Sequence, residues 1–341
     1  MRELTPDNAA EYLRVRGRIG GGSPVSVREL SGGVSNVVLR VDAAGRDPFV
    51  IKQCRERLRV AVEWRARLDR IWVEHAVLLL FAELLPEGVA PRVLFEDRDE
   101  YLFAMSLAPE SSETWKVRLM RGEADREVAA RLGSYLAIIH AEGPEHPALA
   151  PRLADASLFE ELRIDPYYRT TARARPDVAD RLEALIADME RPPERRALVL
   201  GDFSPKNILV HDDGLVLLDF ECAHLGDPGF DIGFFLSHLT LKWVHGVLTA
   251  TDRRELTGAF LRAYESGVGD RLGPPAESTE RAIRHTAACL LARVDGKSPV
   301  EYLDERGRDR ARRSALALFD QRPQDWAGLH RVLDEVAAGP S

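Results

Sequence analysis

Alternation of apolar and polar positions dominates the first hundred residues, and a helical period dominates the rest. Val25-Ser-Val-Arg-Glu-Leu30, Val37-Val-Leu-Arg-Val41, Phe49-Val-Ile-Lys52, Val93-Leu-Phe95 and Tyr101-Leu-Phe-Ala-Met105 read as strands, because side chains two apart share a face. Turn residues separate them, including Ser31-Gly-Gly-Val-Ser-Asn36 between the first two. Thr5-Pro6-Asp7 reads as an N-cap, a proline at the first helical position and an acid in the first turn, so a short helix through Tyr12 and Leu13 should end near Gly17. A long helix is expected over about 60–85, with Ile71, Leu78 and Leu85 at heptad spacing and Pro86 and Gly88 as its stop. The pattern predicts a small antiparallel sheet with one long helix.

Beyond residue 110 the period becomes helical. Val128, Leu132, Leu136 and Ile139 fall on one face of a helix ending near His140. Further helices are predicted around 232–239, 254–265, 280–293, 306–318 and 326–336. Asp165-Pro-Tyr-Tyr-Arg169 and Arg293-Val-Asp-Gly-Lys-Ser-Pro299 read as polar loops. The expected organisation is α+β: a small lobe over 1–105, a connection over 106–109, and a larger, mainly helical lobe over 110–341.

Composition narrows the function classes. The chain has 341 residues, 45% of them apolar, which allows a sizeable core. A net charge of −8 argues against a nucleic-acid partner, which would favour a basic face. Arg308-Asp-Arg-Ala-Arg-Arg313 reads as the solvated side of a helix. Cys54, Cys222 and Cys289 are odd in number and far apart, as reduced thiols are. His140, His211, His224 and His238 lack metal-ligand spacing. The N-terminal stretch lacks the apolar run of a signal peptide, and no stretch reaches the ~18 apolar residues of a membrane span. A cytoplasmic location without a membrane partner is the expectation.

The chemistry is concentrated in Leu198-Val-Leu-Gly-Asp-Phe-Ser-Pro-Lys-Asn-Ile-Leu-Val210 and Leu215-Val-Leu-Leu-Asp-Phe-Glu221. Asp202, then Asn207, then Asp219 follow or interrupt strand-like runs. A carboxylate that accepts a hydroxyl proton, followed by an amide and a carboxylate that hold Mg²⁺ against nucleotide phosphates, is the residue set of kinase-type phosphoryl transfer. Glu221 lies two positions past Asp219, on the same face of an extended segment, and is a candidate for the metal or the substrate, or a plain surface acid. Lys52 ends a strand and can pair with phosphates if an acid holds it; Glu74 is the candidate and Glu63 the alternative. Gly32, Gly33, Ser35 and Asn36 are candidates for a phosphate-covering loop, although two glycines between strands also make an ordinary hairpin turn. Asp231 reads as an N-cap that also reaches back to the catalytic loop. Arg169, Arg293 and Lys297, in the two polar loops, are the candidate acceptor contacts.

Taken together, these residues resemble the aminoglycoside phosphotransferase and choline kinase family. Leu4-Thr-Pro-Asp, Glu11-Tyr-Leu and Val50-Ile-Lys-Gln53 look most like its methylthioribose kinase branch. The resemblance covers nearly the whole chain. It implies a two-lobed protein-kinase-like fold and ATP- and Mg²⁺-dependent phosphorylation of a hydroxyl on a small molecule of aminoglycoside, sugar or amino-alcohol type. By motif, Asp202 looks like the base, Asn207 and Asp219 like the metal ligands, and Lys52 with Glu74 like the phosphate lysine and its partner. Met105 and Leu107, around the connection, join the nucleotide-binding set. Two departures stand out. Leu200 occupies the place of the family's usual His before Gly-Asp, and Asp219-Phe-Glu221 replaces the branch's Asp-Pro-Glu, with Asn207 where the branch usually lacks Asn. The alternative reading is a non-catalytic nucleotide-binding regulatory protein of the same fold.

Overall fold

The computed structural model describes residues 2–30, 36–55, 67–190, 196–273 and 275–339. β1 (Val25–Glu29), β2 (Asn36–Ala43), β3 (Phe49–Cys54), β4 (Val93–Asp97) and β5 (Leu102–Ser106) form one antiparallel sheet in the order β1-β2-β3-β5-β4. Side-chain parity decides what each face meets. Val37, Leu39, Val41, Phe49 and Ile51 pack with Leu13 of α1 (Pro6–Val15) in one apolar cluster. Val50, Cys54, Phe103 and Met105 pack with α2 (Ile71–Leu84) in the other. Lys52 has the parity of Val50 and Cys54, so its ammonium is sent to the α2 side. Of the helix expected over 60–85, residues 60–66 lie outside the described residues; among the described ones α2 starts at Ile71, after an extended Arg67 (ψ 138°) and a 3₁₀ turn Leu68–Arg70.

The rest is mainly helical: α3 (Trp115–Met120), α4 (Arg126–Glu142), α5 (Ser157–Phe159), α6 (Thr170–Ala174), α7 (Ala179–Glu190), α8 (Gly229–His245), α9 (Ala250–Val268), α10 (Pro275–Asp295), α11 (Glu305–Gln321) and α12 (Trp326–Ala338). The five helices predicted after residue 230 are all present. α8 is buried from Gly229 to Val244, and its Phe235 stacks on Trp115 at 5.7 Å. α4 and α9 approach so closely that a Cβ on Gly133 would lie 2.1 Å from the Phe260 carbonyl oxygen. Asp165–Arg169, expected as a loop, is instead the second half of a π-helix, Glu160–Arg169. Pro166 lacks an N–H and suggests a break in sequence, but the wider turn accommodates it. No helix among the described residues is long and apolar enough to cross a membrane.

Two small sheets place the motif residues. β6 (Glu113–Thr114), β8 (Ile208–His211) and β9 (Gly214–Leu217) form one, and β7 (Ala197–Val199) with β10 (His224–Gly226) the other. The loop carrying Asp202 and Asn207 therefore joins β7 to β8, and Asp219 follows β9. The hairpin register pairs Ile208 with Leu217, and the Leu218 N–H donates to the Asn207 carbonyl at 2.9 Å. Antiparallel pairing thus brings Asn207 beside the segment that carries Asp219.

Candidate active site

Asp202 is buried, and its two carboxylate oxygens are used differently. Oδ2 lies 2.8 Å from Arg163 Nη2 and 2.8 Å from Lys206 Nζ. Oδ1 is buried and accepts no hydrogen bond. Desolvation is the largest influence on Arg163 and on Lys206 and works against both charges, yet Asp202, joined by Glu221 at Arg163 and by Asp219 at Lys206, raises both pKa values. The Asn207 amide donates to the Asp202 carbonyl oxygen at 3.0 Å, which directs its own amide oxygen the other way.

Asp219 sits at φ +67°, a left-handed conformation that Asp tolerates better than most side chains. Its Oδ1 lies 2.9 Å from Lys52 Nζ, and that same Nζ lies 2.5 Å from Glu74 Oε2. One buried ammonium thus bridges the segment after β9 and α2. Burial opposes ionisation of Asp219, but Lys52, Lys206 and Arg163 overcome it and hold the carboxyl at about 2. For Glu74 burial prevails over Lys52, and the nearby Asp219 charge adds to it, so its pKa rises to about 7. Lys52 is raised, because Asp219 and Glu74 outweigh its own desolvation.

Glu221 is buried rather than a surface acid. Its Oε2 accepts from Arg70 Nε and from Asn36 Nδ2, each at 3.2 Å. The Arg70 guanidinium is fully buried and also donates to the Arg55 and Arg67 carbonyls. Its requirement for a buried counter-charge explains where Glu221 points. Asn36, expected in the phosphate loop, is the first residue of β2 and pairs with Cys54. Gly32, Gly33, Ser35 and Glu63 lie outside the described residues. Met105, next to last in β5, lies opposite Val50 and is buried, and Leu107 is half-buried beyond the strand.

The loop that carries Asp202 is held from behind. Asp231 lies in the first turn of α8 rather than at its N-cap, which is Pro228. Its carboxylate accepts from the Leu200 N–H at 2.6 Å, the Gly201 N–H at 2.9 Å and His140 Nε2 at 3.1 Å. An imidazole does serve this loop, but it comes from α4 instead of position 200. Gly201 has φ +73°, and a Cβ there would meet Cys222 at 2.8 Å.

The three candidate acceptor contacts fare differently. Arg169 pairs with Glu160 and Glu190 and lines a separate cavity of about 440 Å³ with Ala172, Arg173 and Ile186. It stands on another side of the π-helix from Arg163 and Tyr167, so the structure does not bring it to Asp202. Arg293 donates to the Tyr167 hydroxyl at 3.3 Å, and Tyr167 in turn lies under the Arg163 guanidinium. Arg293 therefore joins the wall beside the catalytic loop. The Lys297 side chain is exposed, and its backbone N–H is tied to the Pro166 carbonyl. Sequence reasoning missed Arg163, Arg70 and Lys206. Lys206 was findable, four positions after Asp202 inside the motif, whereas Arg163 and Arg70 lie in segments with no motif at all.

An antiparallel sheet over a helical body, with Lys52, Asn207, Asp202 and Asp219 converging between them, defines the protein-kinase-like fold of small-molecule phosphotransferases. The chain belongs to the phosphotransferase enzyme family, whose model matches residues 26–274. It is similar to methylthioribose kinases of Pectobacterium atrosepticum (29% identity over 270 residues, 71% of this chain and 66% of that one) and Exiguobacterium sibiricum (29% over 267 residues, 69% and 66%). The match thus spans just under two thirds of those relatives' length. Among solved structures the fold resembles choline kinase from Cryptosporidium parvum Iowa II (TM-score 0.62, 13% identity, 96% of this chain and 99% of that one). It also resembles a choline/ethanolamine kinase family protein from Mesorhizobium loti (TM-score 0.57, 19% identity, 96% and 99%).

Proposed function

We propose that this chain is an ATP- and Mg²⁺-dependent kinase that phosphorylates a hydroxyl of a small molecule. The observation that carries the reading is the division of labour at Asp202: Oδ2 is fixed by two cations, while Oδ1 is buried, fixed in place and without a donor. An acceptor hydroxyl is a donor that fits it. In this reading Asp202 orients the hydroxyl and takes its proton at Oδ1 as the oxygen bonds to phosphorus and the nucleotide diphosphate leaves. Arg163 and Lys206 keep the carboxylate aimed. Lys52, held by Glu74, binds nucleotide phosphate, and residues 1–105 and 110–341 act as the nucleotide-holding and acceptor-holding lobes. The donor set at Asn207 and Asp219 is hard oxygen, which suits Mg²⁺, a metal that takes only one or two protein ligands. When bound there it would neutralise charge on the phosphates. Among the described residues no three His, Cys, Asp or Glu form a cage, and such a site does not need one. The similarity to methylthioribose kinases favours a sugar hydroxyl over the aminoglycoside and amino-alcohol classes.

Asp202→Asn is the decisive variant. Loss of a general base costs roughly 10²–10⁴ in turnover, while nucleotide affinity, set at Lys52 and Asp219, is expected to stay within about twofold. Steady-state ATP consumption with the acceptor, alongside calorimetric nucleotide binding, checks both. Wild-type turnover in the variant would remove Asp202 from the reaction.

A further inference from the structure

Beside the unpartnered Asp202 oxygen, the helical wall carries an excess of positive charge that catalysis on a neutral or cationic acceptor does not require. Lys242, on α8, is 1% exposed, and its Nζ has one recorded hydrogen bond, to the His238 carbonyl at 3.3 Å. It shares the Tyr302 ring with Lys116, their ammonium groups 5.6 and 5.7 Å from the ring centre. Arg293 lies on the Tyr167 ring that also carries Arg163, and Arg163 in turn contacts Asp202. The two groups meet around His238, which feels the charges of Lys242, Arg293, Lys206 and Lys116, and Lys206 is the ammonium on Asp202. The charges that reach Lys242 are Lys116 and Arg293, both repulsive, and Glu301, which is mostly exposed and already paired to Lys116 at 2.6 Å.

Buried cations are ordinarily paired, and one left without a carboxylate is a functional-site candidate. Three buried polar atoms of the same wall also lack partners: Arg293 Nε, His238 Nε2 and the Tyr302 hydroxyl. His238 Nε2 lies on a 7% exposed side chain. Burial first, then Lys116 and Arg293, lowers the Lys242 pKa to about 7, so an arriving anion would restore its full charge. We infer that the acceptor of the proposed phosphorylation carries a negative group, a carboxylate or a phosphate, seated against Lys242 and Arg293 while its hydroxyl meets Asp202. This inference rests on the kinase reading for the hydroxyl but not for the anion. It disfavours aminoglycosides and amino alcohols, whose positive charge would face the same wall.

The test measures binding and turnover separately. Ribose, ribonate, ribose 5-phosphate, ethanolamine and kanamycin are titrated calorimetrically into the full chain with Mg²⁺ and a non-hydrolysable ATP analogue, and assayed as acceptors with ATP. Ribonate or ribose 5-phosphate is expected to bind roughly 10- to 100-fold more tightly than ribose, the size of one charge-assisted hydrogen bond. Which of the two prevails tells carboxylate from phosphate. Lys242→Met, apolar and of similar length, is expected to erase that preference. Lys116→Met, at the more exposed end of the wall, is expected to reduce it and serves if the first variant does not fold. Equal binding of ribose and both anions, tighter binding of a cation, or a preference that survives in the folded lysine variants would overturn the inference. If the anions bind preferentially but nothing is phosphorylated, the kinase reading falls and the anion site stands. If a neutral or cationic acceptor is phosphorylated best, in an Asp202-dependent way, the reverse holds.

Discussion

At the scale of single residues, the site divides into groups that motif spacing exposes and groups that only folding assembles. Asp202, Asn207, Asp219 and Lys52 belong to the first kind, because each is set by a strand end or a hairpin whose alternation is local. Glu74 was legible because a helix after β3 must present an acid to Lys52, and it stands 2.5 Å away. Arg163 and Arg70 were not legible, since each meets its carboxylate from a segment far away in the chain with no periodic mark. Arg169 shows the converse: a charge in a suggestive segment that found Glu160 and Glu190 instead. The Lys52–Glu74 pair also gives a pH signature. The Glu74 pKa rises from 4.5 to about 7 in the folded protein, so the native state holds a proton that the unfolded chain has released. Stability from this group is therefore full below about 4.5 and declines as pH rises towards 7. The difference in urea midpoint between wild type and Glu74→Gln should change steadily across that window and level off above it. A difference that is constant from pH 4 to 8 would show that Glu74 ionises normally.

At the scale of elements, the sequence revealed strands and helices well and their junctions poorly. The five strands and the late helices appear where alternation and helical period put them. The break ahead of α2 at Arg67 was not foreseen, because an apolar heptad says nothing about an extended Arg67. Pro166 was read as a loop marker because the sequence does not disclose a π-turn wide enough to hold it. The brace behind the catalytic loop joins α4, α8 and β7 through one carboxylate. Asp231→Ala would leave the N–H groups of Leu200 and Gly201 and the His140 imidazole without an acceptor. Its expected cost is about 3–5 kcal/mol, the range for breaking a buried charged network, read by chemical denaturation. A loss below about 1 kcal/mol would mean the loop is held by other means. Gly133→Ala is a second test at this scale. The carbonyl of Phe260 leaves no room for a methyl, so α4 and α9 must separate, with an expected loss of about 1–3 kcal/mol.

For the molecule as a whole, the sheet and the helical body share one apolar cluster and are also tied by buried ion pairs. Lys52 reaches from β3 to Asp219, and Arg70, ahead of α2, reaches Glu221. Sequence reasoning anticipated the two-lobed architecture because the period changes near residue 106. It could not anticipate these bridges, which depend on how the halves are set against each other. Ligand binding to the folded state alone adds stability by mass action, about 2.7 kcal/mol at a hundredfold excess over Kd. Magnesium with a non-hydrolysable nucleotide should therefore raise the melting temperature, and magnesium or nucleotide alone much less. Asp219→Ala should abolish the magnesium-dependent part, and Asn207→Ala should only diminish it, since a carboxylate brings charge to the metal and an amide brings a dipole. Identical magnesium dependence in wild type and both variants would place the metal elsewhere.

The left-handed backbone at Asp219 carries a further implication for how such a protein changes under selection. Non-glycine residues held there store on the order of 1–3 kcal/mol, and glycine is at ease in the same conformation. Lys52 would still retain Glu74 if Asp219 were lost. On the proposed kinase reading, a library enriched only for heat resistance would thus accept glycine at 219, and such clones are expected to fold and to lose turnover. Thermal screening of this scaffold has to be interleaved with a selection for turnover, because this position rewards endurance and function in opposite directions.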